Sequence, residues 1–278
     1  MKNTKNITRF GQILASKGYS KNTIAVYMAC IKNLSVYYKL DTSRITNEMV
    51  QDFLVNRVIS QCFSHADQNQ HINSIKLYYM LIYNKQLKPK YVKRPRVKHR
   101  LPVVLNTNEV EKLLQKTYNL KHKTILYTIY SLGLRISESV NLRLSDIDSK
   151  TMRVFIRNSK GGKDRVITLQ QSLLDLLRIY YRSYKPKIYL FNGQNSLQYS
   201  TTSITNIFQA AVKKAGISKR VTVHTLRHSY ATHLLEENLP LPVIQKMLGH
   251  KSSKTTEIYT HITDKSMNNV KLPFIKIA

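Results

Sequence analysis

Four side chains near the end of the chain have the types and the spacing needed to attack a phosphodiester. His224 and Arg227 lie three residues apart, which places them on one helical face about one turn apart. His250 follows Gly249, a residue suited to a left-handed helix cap, and Tyr259 comes shortly afterwards. Arginine and imidazole donors stabilise negative charge on phosphate oxygens, and an activated tyrosine hydroxyl is a nucleophile. These residues indicate phosphoryl transfer through a covalent intermediate.

A tyrosine alone is weak support for such chemistry. The chain contains 18 tyrosines, and a single one is far more often a packing residue with a hydrated hydroxyl. The phenol is also a poor nucleophile near neutral pH, because its unperturbed pKa is about 10. An isolated His-x-x-Arg pair is likewise more often structural. The hypothesis therefore depends on the complete string of residues and on partners elsewhere in the chain.

The complete string resembles the C-terminal signature of the tyrosine recombinases, the integrase and Xer-type family of site-specific DNA recombinases. The resemblance implies that Tyr259 is the nucleophile, that Arg227 and His250 contact the phosphate, and that His224 assists proton transfer from the tyrosine. It also implies a 3′-phosphotyrosyl intermediate and a free 5′ hydroxyl. The matching residues are His224-Thr-Leu-Arg227-His228, Leu248-Gly249-His250 and Thr255-Thr-Glu-Ile-Tyr259-Thr-His261.

Two upstream segments match the remaining parts of the family pattern. Arg135 follows a predicted buried helix that ends at Gly133, and the resemblance makes it the first catalytic arginine. Glu138 and Asp146 match supporting positions of the family. By itself, an arginine after a glycine cap would more often be a surface residue. The resemblance therefore carries the assignment of Arg135.

A period-two pattern over residues 151–169, interrupted by a Gly-containing tip, predicts a β-hairpin. Met152, Val154 and Ile156 alternate with Arg153, Phe155 and Arg157, and the return strand carries the apolar residues Val166, Ile167 and Leu169. The family places a catalytic lysine on this hairpin, and the resemblance makes Lys160 the general acid for the leaving 5′ hydroxyl. The competing choice is Lys163. The glycines do not form a nucleotide-binding P-loop, because its Gly-Lys-Ser/Thr pattern is absent.

The formal net charge of +30 predicts a polyanionic partner. Both halves are basic, with 18 Lys/Arg against 4 Asp/Glu in residues 1–100 and 27 against 11 in residues 101–278. Double-stranded DNA fits this balance, because lysine and arginine neutralise phosphates and release counterions. No acidic cluster suits two catalytic metal ions, and His224 and His228 lack the His-Glu-x-x-His pattern of zinc sites. We expect neither metal nor other cofactor.

The predicted fold class is mainly α with a small antiparallel β-hairpin or sheet (α+β). Residues 1–87 are predicted to form a helical, core-binding DNA-binding bundle, in which Asp67 opens the fourth helix. Residues 88–100 form a basic, proline-containing linker. Residues 101–262 form the catalytic domain, with Thr107 as an expected helix N-cap. In the family, a tail such as residues 263–278 docks on a neighbouring protomer.

Candidate DNA contacts lie in the linker, at the hairpin tip and on a helix predicted over residues 203–215. Linker cations can contact phosphates when the two domains close around a duplex. Amide side chains on the helix could read base edges in the major groove. The competing interpretation for each position is an ordinary solvent-exposed polar residue that does not contact DNA. The candidates are Lys93, Arg94, Arg96, Lys98, Arg100, Lys163, Thr205, Asn206, Gln209 and Lys213.

The sequence therefore predicts site-specific recombination of DNA by strand cleavage and rejoining, without ATP. The resemblance implies a homotetramer on two DNA sites, and accessory proteins could take part. A type IB topoisomerase and a non-enzymatic basic DNA-binding protein are the alternatives. Residues 1–10 lack a secretory signal, and no apolar run approaches the ~20 residues that span a bilayer. We expect a cytoplasmic, DNA-associated protein without a membrane partner.

Overall fold

The computed structural model describes residues 2–60, 63–86, 102–159, 163–194 and 196–249. The chain divides into two compact units, residues 1–99 and 100–278. Each unit has a hydrophobic core of its own. Helices dominate both units, and the described strands form one small antiparallel sheet. The predicted fold class is confirmed.

The described residues of the first unit form a bundle of four α-helices. Its core is aromatic and aliphatic, and it includes an edge-to-face contact between Phe10 and Tyr78. Ser64 caps the fourth helix by accepting from the Asp67 N–H, while the Asp67 carboxylate accepts from the Ser64 N–H. The helix therefore begins before Asp67, which is part of a capping box and was wrongly expected to open it. The helices are α1 (Lys2–Ser16), α2 (Lys21–Tyr38), α3 (Asn47–Ile59) and α4 (His65–Tyr83).

The second unit packs seven helices against a three-stranded antiparallel sheet in the order β1-β2-β3, within its described residues. Its elements are α5 (Thr107–Gln115), α6 (Leu120–Ser131), α7 (Ile136–Asn141), β1 (Ile147–Asp148), β2 (Arg153–Ser159), β3 (Lys163–Thr168), α8 (Gln171–Tyr184), α9 (Thr201–Lys214), α10 (Val223–Glu236) and α11 (Leu241–Leu248).

The hairpin of β2 and β3 faces the core with one side and solvent with the other. Val154 pairs with Ile167, and both are buried. Val166, one residue earlier on β3, is 47% exposed, although its apolar type suggested a core position. Arg165 takes the inward position instead, opposite Ile156. A charged residue therefore replaces an apolar one on the buried face.

Two helices of the second unit begin earlier than expected, because a residue upstream provides the cap. Asn106, and not Thr107, is the N-cap of α5: its side-chain oxygen accepts from the Glu109 N–H at 2.8 Å. Ser200 caps α9 by accepting from the Ser203 N–H at 2.9 Å, so that helix starts at Thr201. Polar side chains followed each other at both starts, and spacing alone did not decide between them.

Among the described residues, no helix combines the length and the apolarity that a membrane span requires.

Candidate active site

The connection from α6 to α7 places Arg135 at the start of α7. Gly133 ends the preceding turn with φ +55°, in the left-handed region that favours glycine. A Cβ at Gly133 would lie 2.5 Å from Cδ1 of Tyr230 and 3.0 Å from Cδ2 of Leu248. Both the backbone conformation and the close packing against α10 and α11 therefore require glycine here.

Arg135 is bound to Glu138 through its backbone and its side chain. The Arg135 N–H donates to Oε2 of Glu138 at 2.8 Å, and Nη1 donates to Oε1 at 2.7 Å. The Arg135 side chain is 19% exposed, whereas the Glu138 carboxylate is buried. One carboxylate thus caps the helix start and fixes the direction of a guanidinium that solvent can still reach.

Arg227 joins the same site from α10. Its Nη1 donates to the Gly133 carbonyl and its Nη2 donates to the Leu248 carbonyl, both at 2.6 Å. Nη1 also lies 3.8 Å from Oε2 of Glu138. The Arg227 side chain is 1% exposed. The two predicted catalytic arginines, which are far apart in sequence, therefore approach the same carboxylate.

Arg165 is a third arginine at this carboxylate, and no sequence motif predicted its role. Its Nη1 and Nη2 donate to the two oxygens of Glu138 at 2.9 and 2.8 Å, and its Nε donates to the Met247 carbonyl at 2.8 Å. The side chain is only 5% exposed. The available signal was its register: it alternates with Ile167 and Leu169 on the buried face, and a buried arginine requires a partner.

Glu138 is ionised in this environment. Burial of the carboxyl would raise its pKa, but the hydrogen bonds and charge of Arg165, together with the donors of Arg135, outweigh burial and lower the pKa to about 2. One negative charge therefore lies among three guanidinium groups. The cluster remains cationic, as a site for a phosphate must be.

The C-terminal end of α11 accepts hydrogen bonds from all three arginines. The Met247 and Leu248 carbonyls bind Arg165 and Arg227, and the Gly249 carbonyl lies 3.5 Å from Nη2 of Arg135. The arrangement suits the partial negative charge of a helix C-terminus. Gly249 has φ +64°, which confirms the predicted left-handed cap, and its Cβ position lies 3.1 Å from Cδ of Arg165.

Two histidines of α10 extend the site. The rings of His224 and His228 meet edge to face, with centroids 4.5 Å apart. His224 has an exposed side chain, yet partial desolvation by the protein beneath the ring, followed by the charges of Arg227 and Arg135, lowers its pKa below 6.5. Burial and the neighbouring His224 lower the pKa of His228 to about 4. Near neutral pH both imidazoles are uncharged, and His224 can accept a proton.

Several predicted residues lie outside the described part of the chain. Of the six catalytic candidates, Arg135, His224 and Arg227 come together within one unit, whereas Lys160, His250 and Tyr259 fall on residues that the structure does not describe. The backbone of Lys163 belongs to β3, but its side chain is not among those described. The linker candidates Lys93, Arg94, Arg96, Lys98 and Arg100 also lie outside the described ranges.

The predicted DNA-reading helix is α9. Thr205, Asn206 and Lys213 are exposed on it, as a contact surface requires. Gln209 is exposed too, but its Nε2 donates to the Val221 carbonyl at 3.0 Å, so part of its amide is already engaged. Asp146, a predicted support, is buried and accepts from Nε of Arg157 at 2.6 Å and from the Arg143 N–H at 2.9 Å.

Across the described ranges, no group of three or more His, Cys, Asp or Glu side chains is arranged to hold a metal ion. The guanidinium groups of the described residues can stabilise an anion, and an imidazole lies nearby.

Comparison with known proteins identifies the family. Residues 103–266 match the phage integrase family, and residues 7–89 match the N-terminal SAM-like domain of phage integrases. A tyrosine recombinase of Thermosipho africanus is 31% identical over 275 residues, which cover 94% of this chain and 96% of the relative. The tyrosine recombinase XerA of Pyrococcus horikoshii is 32% identical over 271 residues, covering 95% and 92% of the two chains.

A solved structure shows the same fold. The lambda integrase tetramer bound to a Holliday junction aligns with a TM-score of 0.72 at 20% identity, over 90% of this chain and 77% of that one. The family match covers more than half of the chain, and the two relatives match nearly its full length. The chain is a member of the phage integrase family, the tyrosine recombinases, and is an enzyme that cleaves and rejoins DNA strands in site-specific recombination.

Proposed function

We propose that Arg135 and Arg227 bind the scissile phosphate and that Tyr259 attacks it. The observation that supports this assignment is the approach of both arginines to one ionised carboxylate, Glu138, at 2.7 and 3.8 Å. A guanidinium offers a planar fork that matches phosphate oxygens, and its direction is set here before DNA binds. Arg135 is the more exposed of the two arginines. It meets the phosphate first, and DNA must open access to Arg227.

The proposed reaction is an exchange of phosphoester bonds. The Tyr259 oxygen attacks phosphorus, a phosphotyrosyl bond forms at the 3′ end, and the bond to the 5′ oxygen breaks. His224 takes the tyrosine proton, which its lowered pKa allows near neutral pH. His250 donates to the phosphate, and Lys160 gives a proton to the leaving 5′ oxygen. Attack of a 5′ hydroxyl from a second strand reverses the sequence, so one ester replaces another and no ATP is consumed.

The proposed DNA complex uses both units. The helical bundle of residues 1–87, the basic linker 88–100 and the exposed face of α9 contact the duplex, and residues 101–262 carry the chemistry. The basic composition and the match to the integrase SAM-like domain support this division. The lambda integrase structure, a tetramer bound to a Holliday junction, supports a homotetramer on two DNA sites. From the family resemblance alone, we also propose that residues 263–278 dock on a neighbouring protomer. Accessory proteins could take part, and we propose that the enzyme is cytoplasmic and associated with DNA.

The experiment uses a supercoiled plasmid that carries two copies of the DNA flanking the gene. We expect recombinant circles that reflect exchange between the two copies, and no such products from Tyr259→Phe. Relaxed circles alone would instead support a type IB topoisomerase. Binding without any change of topology, equal in both proteins, would support a non-enzymatic DNA-binding protein.

A further inference from the structure

Arg165 donates three side-chain hydrogen bonds within the site, two to the Glu138 carboxylate and one to the Met247 carbonyl. We propose that Arg165 is a positioning residue for the reaction, which acts through Glu138 on the two phosphate-binding arginines. The inference rests on the proposed function of Arg135 and Arg227. It concerns a residue of β3 that does not itself have to touch DNA.

The Arg165 side chain links three elements by hydrogen bonds: its own strand β3, helix α7 and the end of helix α11. Both terminal nitrogens bind the Glu138 carboxylate of α7, and Nε binds the Met247 carbonyl at the end of α11. All three distances lie between 2.8 and 2.9 Å, and the side chain is buried. Lysine would keep the positive charge but not these three hydrogen bonds, because its ammonium group is a single point of contact.

The charges explain why the contacts between Arg165 and Glu138 matter for catalysis. Glu138 shares Oε1 between Arg135 and Arg165, and shares Oε2 between the Arg135 N–H and Arg165. Because Arg165 engages both oxygens, the carboxylate is held at a fixed angle and its charge is partly neutralised. Without Arg165, Glu138 would turn fully toward Arg135 and hold that guanidinium away from the phosphate. Arg165 therefore keeps Arg135 oriented and leaves its positive charge available to the phosphate.

The hydrogen bond from Nε of Arg165 to the Met247 carbonyl also fixes the end of α11. Loss of Arg165 would leave the Met247 carbonyl without this donor, next to the Leu248 carbonyl that binds Arg227. The Gly249 Cβ position, 3.1 Å from Cδ of Arg165, shows how closely the two are packed. A substitution at Arg165 thus disturbs the support of Arg227 as well as that of Arg135.

The experiment compares two suicide duplexes built from the DNA flanking the gene, one with a normal scissile phosphodiester and one with a methylphosphonate. The methyl group replaces a non-bridging oxygen, so the transition state carries less negative charge and needs the guanidinium pair less. Total strand cleavage is measured for wild type, Arg165→Gln, Arg165→Lys and the control Arg153→Gln. Arg153 is an exposed arginine of β2, and its replacement removes one positive charge from the same hairpin.

We expect Arg165→Gln to cleave the phosphodiester about 100-fold or more slowly than wild type, in the range seen when a preorganised oxyanion donor is lost. On the methylphosphonate, the loss of cleavage rate in Arg165→Gln relative to wild type should be roughly tenfold smaller. The reason is that the transition state there carries less negative charge for the two guanidinium groups to stabilise. Arg165→Lys should show the same substrate dependence with a smaller loss. Arg153→Gln should stay within about twofold on both substrates.

An equal loss on the two substrates would overturn the inference, since a merely structural role lowers both rates by the same factor. Wild-type rates in Arg165→Gln would overturn it too. Circular dichroism identifies a variant that fails to fold. If Arg165→Gln does not fold, the ratio of the rate losses of Arg165→Lys on the two substrates tests the inference instead. If wild type cleaves neither duplex while binding both, the proposed function itself fails, and the inference fails with it.

Discussion

Replacing Glu138 by glutamine tests the electrostatic core of the site, because the substitution keeps the size of the side chain and removes its charge. Arg165 would face one neutral carbonyl oxygen in place of two ionised carboxylate oxygens and would remain buried, and the Arg135 N–H would lose an ionised acceptor. The glutamine NH₂ group would also face a guanidinium, which has donors only. We therefore expect a clear loss of stability near neutral pH.

The magnitude follows from the pKa of Glu138. Its folded pKa of about 2, against an ordinary 4.5, corresponds to about 3 kcal/mol at about 1.4 kcal/mol per tenfold change. Removing one partner of a buried ion pair costs about 3–5 kcal/mol, which agrees. Because the folded pKa is lowered, this stabilisation is fully present above about pH 4.5 and disappears as the pH falls toward 2.

The assay is urea unfolding of wild type and Glu138→Gln, followed by circular dichroism at several pH values. The free energies of unfolding should differ by about 3 kcal/mol near pH 7, and the difference should shrink steadily below about pH 4.5. Comparing the two proteins at each pH removes the contribution of the other titrating groups. A difference that does not change with pH, or no difference near pH 7, would refute the electrostatic reasoning.

Three further predictions concern the site and the DNA surface. Gly249→Ala should lower the free energy of unfolding by about 1–3 kcal/mol, because φ of Gly249 is +64° and an added Cβ would lie 3.1 Å from Cδ of Arg165. The control Gly216→Ala should lower it less, because φ there is +65° but an added Cβ would meet open space. Equal urea midpoints for the two variants would contradict the close approach at Gly249. The cleavage rate should fall as the pH drops through a value below 6.5, because His224 must be uncharged, and this acid limb should vanish in His224→Gln; a limb that persists would disprove the proton-acceptor role. Lys213→Ala should reduce the slope of log affinity against log salt by about 1 for all sequences, whereas Asn206→Ala should cost about 1–3 kcal/mol only on the cognate site, as measured by fluorescence anisotropy; equal effects on cognate and random DNA would contradict base reading by Asn206.

Local rules predicted the parts of the fold that depend on near neighbours. The left-handed cap at Gly249 and the end of α6 near Gly133 each follow from the conformational preference of glycine. The antiparallel hairpin followed from its period-two pattern and the glycines at its tip. Where two polar residues competed for a helix start, as Asn106 and Thr107 did, the spacing did not decide.

The convergence of Arg135, Arg165 and Arg227 on Glu138 could not be predicted from spacing. Contacts between β3, α7, α10 and α11 depend on tertiary packing, which no local pattern encodes. Family resemblance suggested two of the arginines but gave no reason to single out Arg165. Hydrophobicity even pointed the other way on β3, since Val166 is exposed while its charged neighbour is buried. Only the register of the sheet, together with a buried carboxylate to receive it, explains that exchange.

The most direct measurement of the proposed chemistry traps the covalent intermediate. Wild-type protein is incubated with a nicked suicide duplex that carries the flanking DNA, and the mixture is separated in SDS and analysed by peptide mass spectrometry. We predict an SDS-resistant adduct in which the 3′ phosphate is bonded to Tyr259, and no adduct from Tyr259→Phe. An adduct that persists in Tyr259→Phe, or a bond that maps to another residue, would contradict the assignment of the nucleophile.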